Sequence, residues 1–296
     1  DNLHSNFWNI GFVEESLKEV LQSNTLNVHW MKHSYKDRWF ADPFILDVTS
    51  DEITVLVEEF TYKLQKGRIA KLVISRDGYE LKDMKILLEL PTHLSFPVIL
   101  RKDGVVYVMP ENSQSGETKI YCYDEQKELL TEKNVVCHLP LTDATILQAP
   151  EGKCYILSTK TPTQNSDTLY VYAFDSETLS ANSQPVQEIK FRDNTARNAG
   201  DVFMIDGQMY RPAQDCNQWY GSGVTIEKLN YNHGHFESEY LKTFTTRVAP
   251  FDMGYHTFNQ FNGLIVVDAH GHRYKTANLI LNKIGEIRRN RRNMDK

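Results

Sequence analysis

The sequence predicts an all-β chain folded as one five-bladed β-propeller with a short N-terminal helical arm. Three observations carry that expectation. One unit recurs five times: a polar start, an apolar run, a tight turn, a second apolar run and a polar end. The units begin near Asp42, Ser95, Asp143, Ala199 and His256, at intervals of 48 to 57 residues, the length of a four-stranded blade. Glycine turns punctuate the runs at Asp77-Gly78, Asp103-Gly104, Gly152, Asp206-Gly207 and Asn262-Gly263, and helical periodicity is scarce.

In chain order, residues 1–35 read as a leading arm. Val13, Leu17, Val20 and Leu21 recur at helical spacing with Glu14, Glu15, Lys18 and Glu19 opposite, which predicts one amphipathic helix. Asn27–Met31 reads as a short strand. The propeller is expected over 36–285, followed by a basic tail, 286–296, that carries Arg288, Arg289, Arg291 and Arg292. The first repeat opens with Trp39-Phe40-Ala41-Asp42-Pro43-Phe44. Proline fixes its own φ, lacks an N–H and biases the preceding residue towards extended backbone, so Asp42 is expected extended at the mouth of a strand. Each blade's innermost strand starts at the axis. Asp42, Ser95, Asp143, Arg197 and His256 are therefore expected to surround one end of the central funnel.

Composition bounds the function. The chain has 296 residues, is 41% hydrophobic and carries a formal net charge of -6 with pI ≈ 5.9. That balance excludes a nucleic-acid backbone as the main partner. No apolar run approaches the ~20 residues of a membrane helix, so no membrane span is expected. Cys122, Cys137, Cys154 and Cys216 have no CxxC spacing and read as reduced and mostly buried. With no visible leader, they favour the cytoplasm. The oligomeric state is left open.

Glycosidic chemistry uses two carboxyl groups, one protonated and one ionised. Asp42, Glu58, Glu59, Glu111, Asp143 and Asp215 are candidates to line the funnel. Glu58 and Glu59 point to opposite faces of a strand, and Glu59 is taken as the one facing the axis. Arg197 and Arg211 suit an anionic substrate bound through guanidinium contacts. Trp39, Trp219 and Tyr220 offer rings for stacking on sugars, and His256 a ligand or sugar contact. The pairs His233/His235 and His270/His272 read as loop or solvated histidines.

Trp39–Phe44, Glu58-Glu59, Ser95-Phe96-Pro97, Pro110-Glu111, Asp143-Ala144-Thr145, Arg211–Asp215, Tyr220-Gly221 and His256-Thr257 together resemble a specific family. It is the N-terminal propeller of glucosamine inositolphosphorylceramide transferases and their bacterial homologues. The resemblance covers about Trp30 to His270; the sugar-transfer chemistry of those proteins belongs to a separate domain with no counterpart here. More distantly, the sequence is similar to five-bladed glycoside hydrolases of families 43 and 32. That likeness implies Asp42 as base or nucleophile and Asp143 as the orienting acid. The family's general-acid Glu has no match in Ala196-Arg197-Asn198-Ala199-Gly200, which leaves Glu111 as substitute proton donor. His256 resembles an axial histidine that binds a metal or water, so a metal ion near His256 is one implied cofactor. Trp39, Glu59, Arg197, Arg211, Asp215, Tyr220 and His256 are the expected substrate contacts. The expected function is a glycoside hydrolase-like protein acting on or binding a bacterial, anionic glycan or glycolipid. The alternative is a non-catalytic glycan-binding or scaffold propeller of polysaccharide or glycolipid biosynthesis.

Overall fold

A computed structural model describes residues 6–272 as five antiparallel sheets around a central axis, so the basic tail lies outside the described residues. Strands β1 (Asn6–Val13) and β2 (His29–Trp30) flank helix α1 (Leu17–Gln22). Blade one is β3 (Arg38–Val48), β4 (Glu52–Thr61), β5 (Lys66–Ser75) and β6 (Leu81–Leu88). Blade two is β7 (Ser95–Lys102), β8 (Val105–Glu111), β9 (Thr118–Asp124) and β10 (Leu129–Cys137). Blade three is β11 (Leu141–Gln148), β12 (Cys154–Lys160) and β13 (Thr168–Asp175), with β14 (Ser180–Ala181) and β15 (Gln187–Lys190) both paired to β13. Blade four is β16 (Phe203–Ile205), β17 (Gln208–Asp215), β18 (Gly223–Asn232) and β19 (His235–Phe244). Blade five begins with β20 (Gly254–Phe261) and β21 (Leu264–His272) and is completed by β1 and β2.

The N-terminal segment is thus an integral part of the last blade, not an arm beside it. β1 pairs with β21 from Asn6↔His272 to Val13↔Ile265. The reason is a period of two that gives the segment two packing faces: Ile10 and Phe12 are fully buried against blade one, and Val13 is buried in the cluster shared with blade four. Each such side chain contributes about 1.5–3 kcal/mol by leaving water. Because Val13 belongs to the strand, the helix is confined to Leu17–Gln22 and starts at a capping box, in which Ser16 and Glu19 bond each other's backbone N–H.

Apolar layers fill the space between neighbouring blades. Phe40, Val55 and Leu72 pack against Ile10 and Phe12 of blade five, and Leu56 and Ile69 meet Val108 and Tyr121 of blade two. The turns at Asp103-Gly104, Asp206-Gly207 and Asn262-Gly263 have positive φ at both residues, as two-residue hairpins require. They lie at the far end of the inner strands. The other end, where those strands begin, is the mouth.

A bulge interrupts the start of the inner strand in blades one, two, three and five, between Ala41/Phe44, Ser95/Val98, Thr142/Thr145 and Tyr255/Phe258. Asp42 is therefore not extended. It has φ 52°, and Phe96 and Asp143 repeat it at 44° and 46°. The bulge turns these backbone N–H groups towards the axis. All four cysteines are free thiols; Cys137 is buried and the others half-buried. No helix among the described residues is long and apolar enough to cross a membrane.

Candidate functional site

Two charged clusters occupy the mouth. The first joins blades five and one. His256 Nδ1 lies 3.2 Å from Asp42 Oδ1 and 3.3 Å from Asp268 Oδ2. Asp268 also accepts the backbone N–H groups of Asp42 (2.8 Å) and Thr257 (2.7 Å), and Asp42 Oδ2 accepts that of Phe96 (3.1 Å). All three side chains are buried. Burial alone would lower the His256 pKa, but Asp268 and Asp42 outweigh it and raise it to about 10, so the ring is an imidazolium. Burial pushes Asp42 up to about 7 against the pull of His256, with Glu58 and Asp268 adding to the rise. Burial also opposes ionisation of Asp268, yet His256 and the two N–H donors hold its pKa below the usual range.

The second cluster joins blades two, three and four. Arg197 Nε donates to Asp143 Oδ2 at 2.6 Å, and Gln214 Nε2 donates to the same oxygen at 2.6 Å. Arg197 also donates to Asn165 Oδ1 (2.9 Å), and its Nη2 lies 3.9 Å from Glu111 Oε2. Glu111 accepts the Asp143 N–H (3.2 Å) and the Ser113 hydroxyl (3.0 Å). Burial, and then the Asp143 charge, raise the Glu111 pKa well above the ordinary carboxylate range. Burial works against Asp143 too, but Arg197 and Glu111 lower it. The cluster therefore sets a carboxyl group biased towards its protonated form beside a carboxylate–guanidinium pair.

Aromatic rings cover both clusters. The Arg197 guanidinium lies 4.8 Å above the Tyr220 ring, and that ring meets His256 edge-on at 4.8 Å. Tyr220 is 39% exposed. Its hydroxyl is nevertheless within electrostatic reach of the acids. Burial raises its pKa well above the tyrosine range; Arg197 opposes the rise, and Asp143, Asp42 and Glu58 add to it. Trp8 stacks on His270 at 4.2 Å and reaches His256 at 4.9 Å and Trp39 at 6.0 Å. Trp39 itself stacks on Phe60 at 4.6 Å. The exposed Trp219 donates its Nε1 to Met253 O on the outer rim.

The structure brings Asp42, Glu111, Asp143, Arg197, Tyr220 and His256 together and puts other candidates elsewhere. Ser95 is one residue short of the inner ring: Phe96 holds the position equivalent to Asp42. Glu59 is fully buried and held by Arg38 and Arg68, at 2.8 and 2.9 Å. Glu58 faces the site instead, 3.2 Å from His93, because Ala41 pairs with Glu58 as Ser95 pairs with Glu111. Arg211 is also fully buried, and all five of its N–H bonds are engaged, by Glu227, Thr195 O, Ala196 O and Asn198. It presents no surface to a ligand and fixes the segment that carries Arg197. Asp215 caps the following loop through Asn217, and its neighbour Gln214 meets Asp143. His233 and His235 are exposed, as expected, whereas His270 is buried against Trp8.

Asp268 and Trp8 were not among the sequence candidates. Asp268 is the polar end of the fifth repeat, the feature that singled out Glu111 and Asp215. Trp8 lies in the segment read as an arm. As to a metal, Asp42, His256 and Asp268 offer one imidazole nitrogen and two carboxylate oxygens within 4.8 Å of one another. That donor set fits a divalent cation, which would displace the proton that now holds the two acids together.

Residues 23–246 match the family described as glucosamine inositolphosphorylceramide transferase 1, N-terminal. The transferase 1 of Oryza sativa subsp. japonica is 26% identical over 201 residues, which cover 66% of this chain and 27% of that protein. That of Arabidopsis thaliana is 27% identical over 198 residues, 64% of this chain and 25% of the relative. The chain thus spans about a quarter of the length of these curated relatives. Among solved structures, a glycoside hydrolase family 43 β-xylosidase/α-arabinofuranosidase from a compost microbial metagenome superposes with TM-score 0.57 at 13% identity, covering 81% of this chain and 92% of the enzyme. A family 43 enzyme from Xanthomonas citri complexed with xylose gives 0.55 at 12% identity, covering 79% and 87%. Identities this low speak to the fold alone. The five blades are those of the family 43 propellers, and the chain belongs to the family of N-terminal domains of glucosamine inositolphosphorylceramide transferases.

Proposed function

We propose that the mouth of this propeller binds an anionic glycan or glycolipid head, of bacterial origin on the sequence resemblance, without cleaving it. The observation that carries this reading is Arg197, bonded to Asp143 at 2.6 Å and stacked on Tyr220. It stands where the resemblance to glycosidases calls for a proton-donating Glu. A guanidinium does not give up its proton, but it recognises carboxylates and phosphates. The acids do not repel such a ligand. Burial biases Glu111 and Asp42 towards their protonated forms, and the Asp143 and Asp268 charges are matched by Arg197 and His256. Tyr220 and Trp8 supply the rings. The relatives' names, which join glucosamine with inositolphosphorylceramide, agree with a sugar and a phosphate in one ligand.

The test is calorimetric titration with glucosamine, glucuronic acid and myo-inositol 1-phosphate. Binding of an anionic member, weakened about tenfold by Tyr220→Ala, supports the reading; a 1.4 kcal/mol loss gives that factor. Absence of binding to all three overturns it. Hydrolysis is the second reading, favoured by the raised pKa of Glu111, with Glu111 as acid and Asp42 as base. Release of sugar from an aryl glycoside or oligosaccharide, abolished in Glu111→Gln, would establish that reading instead.

A further inference from the structure

Beside the axial clusters lies a second concavity, between blades five and one. It has a volume of about 330 Å³, within the ~300–1,000 Å³ range of ligand pockets. Its walls include Trp8, Trp39, Asn9, His33 and Lys36. Trp8 is also the partition, since its ring meets His256 on the axial side at 4.9 Å. Both indoles are held in place. Trp8 lies against His270 with a 10° interplanar angle, and Trp39 against Phe60 with a 3° angle.

Two polar atoms in these walls are buried without a hydrogen-bond partner, Asn9 Oδ1 and His33 Nδ1. Asn9 is only 7% exposed, and its Nδ2 donates to Met31 O at 2.8 Å. That bond fixes the amide and leaves Oδ1 as the free atom. Buried polar groups are normally satisfied, and an orphan represents a lost interaction that a ligand can restore. An amide oxygen accepts only, so its complement is a hydroxyl or N–H donor. Lys36 stands exposed at the rim and forms no ion pair with a described carboxylate, whereas Arg38 is bound by Asp37 and Glu59.

We propose that this cavity is a second saccharide subsite, which takes a pyranose ring carrying a carboxylate. The ring lies against Trp8 and Trp39, two of its hydroxyls donate to Asn9 Oδ1 and His33 Nδ1, and the carboxylate faces Lys36. Aromatic walls with a few convergent polar atoms are the usual makeup of such a site, and a sugar ring supplies adjacent donors that a fatty or aromatic ligand lacks. The assignment rests on the reading of the propeller as a glycan binder. It adds a neighbour to the axial site, so that one chain of linked sugars can occupy both.

Glucuronic acid and glucose are the probes, followed by ¹H–¹⁵N NMR titration of the intact chain. Both are expected to shift the Trp8 and Trp39 indole signals saturably. Asn9→Leu should weaken both about fivefold, the range for one lost hydrogen bond. Lys36→Met should weaken glucuronic acid alone, and Tyr220→Ala should leave the Trp39 signal responsive, which separates this site from the axial one, of which Trp8 is also a wall. Trp39→Phe keeps an aromatic wall should Trp39→Ala fail to fold. The assignment is overturned if the Trp39 indole signal does not shift, if Asn9→Leu binds as the unmutated protein does, or if Tyr220→Ala abolishes the Trp39 response.

Discussion

Removing Arg197 tests the electrostatics of the mouth most directly. Its partner Asp143 is 1% exposed and would lose in Arg197→Ala the one cation bonded to it among the described residues. Gln214 would still donate to the carboxylate, and Glu111 could share its proton. Breaking a buried pair by deleting one member costs about 3–5 kcal/mol, because the survivor is left charged in a dry site. At roughly 2–4 °C per kcal/mol for a domain somewhat smaller than this one, the midpoint should fall by about 10 °C at pH 7. The pH dependence gives the sign. In the unmutated chain the Asp143 pKa is depressed, so its contribution is present above the unfolded value near 3.8 and is lost only as pH falls through the folded value. Without Arg197 the folded pKa rises above 3.8, and the variant loses stability as pH climbs through that interval. The gap between the two proteins should therefore narrow from pH 7 to pH 4. Thermal melts at both pH values, with Asp143→Asn added to complete a double-mutant cycle, measure it. A gap below about 1 kcal/mol, the range of an exposed ion pair, or one that does not change with pH, would refute the reasoning.

Three further outcomes follow from other sites. Arg211→Ala should lose about 3–5 kcal/mol by leaving Glu227 buried and unpaired. Arg211→Lys should not rescue it, since one ammonium cannot replace five directed N–H bonds, and the soluble yield and melting midpoint report both. The folded pKa of His256 is raised to about 10, so its stabilising effect is full below its unfolded value near 6.5 and is lost as pH rises towards 10. The midpoint should fall across pH 7–10, and His256→Gln should flatten that slope. Gly200→Ala would place a Cβ 2.1 Å from Phe258 O and 2.6 Å from Asn259 Oδ1, where backbone cannot yield. It should lose about 1–3 kcal/mol, read as a lower denaturation midpoint in urea.

The period of the repeats and the glycine turns were legible because they are local: each blade writes its strand–turn–strand unit in consecutive residues. Asp42, Asp143 and His256 were found at the mouth for the same reason. Parity was not legible. A bulge at the inner-strand start of blades one and two shifts the register by one, which exchanged Glu58 for Glu59 and moved the ring position from Ser95 to Phe96, and on blade four it is Gln214 rather than Asp215 that meets Asp143. Partners distant in sequence were hidden too. Nothing near Arg211 announces that Glu227, on the adjacent strand, neutralises it. The β1 segment alternates like a strand, but no turn joins it to a neighbour, so its pairing with β21 leaves no local trace.

That pairing makes blade five a clasp fastened by the two ends of the ring. Roughly 250 residues separate Val13 from Ile265. Closing a loop adds only ~0.6 kcal/mol per doubling of length, so fastening this one costs ~3 kcal/mol more than closing about eight residues. Burial of Ile10 and Phe12 alone offsets that, at about 1.5–3 kcal/mol each. The order of events matters more than the balance. Until the clasp shuts, apolar surface on blade one (Phe40, Val55) lacks the Ile10 and Phe12 that pack against it. The mouth is also unfinished: Trp8, His256 and Asp268 all arrive with that blade. Recognition is therefore acquired in the same step that seals the protein against aggregation.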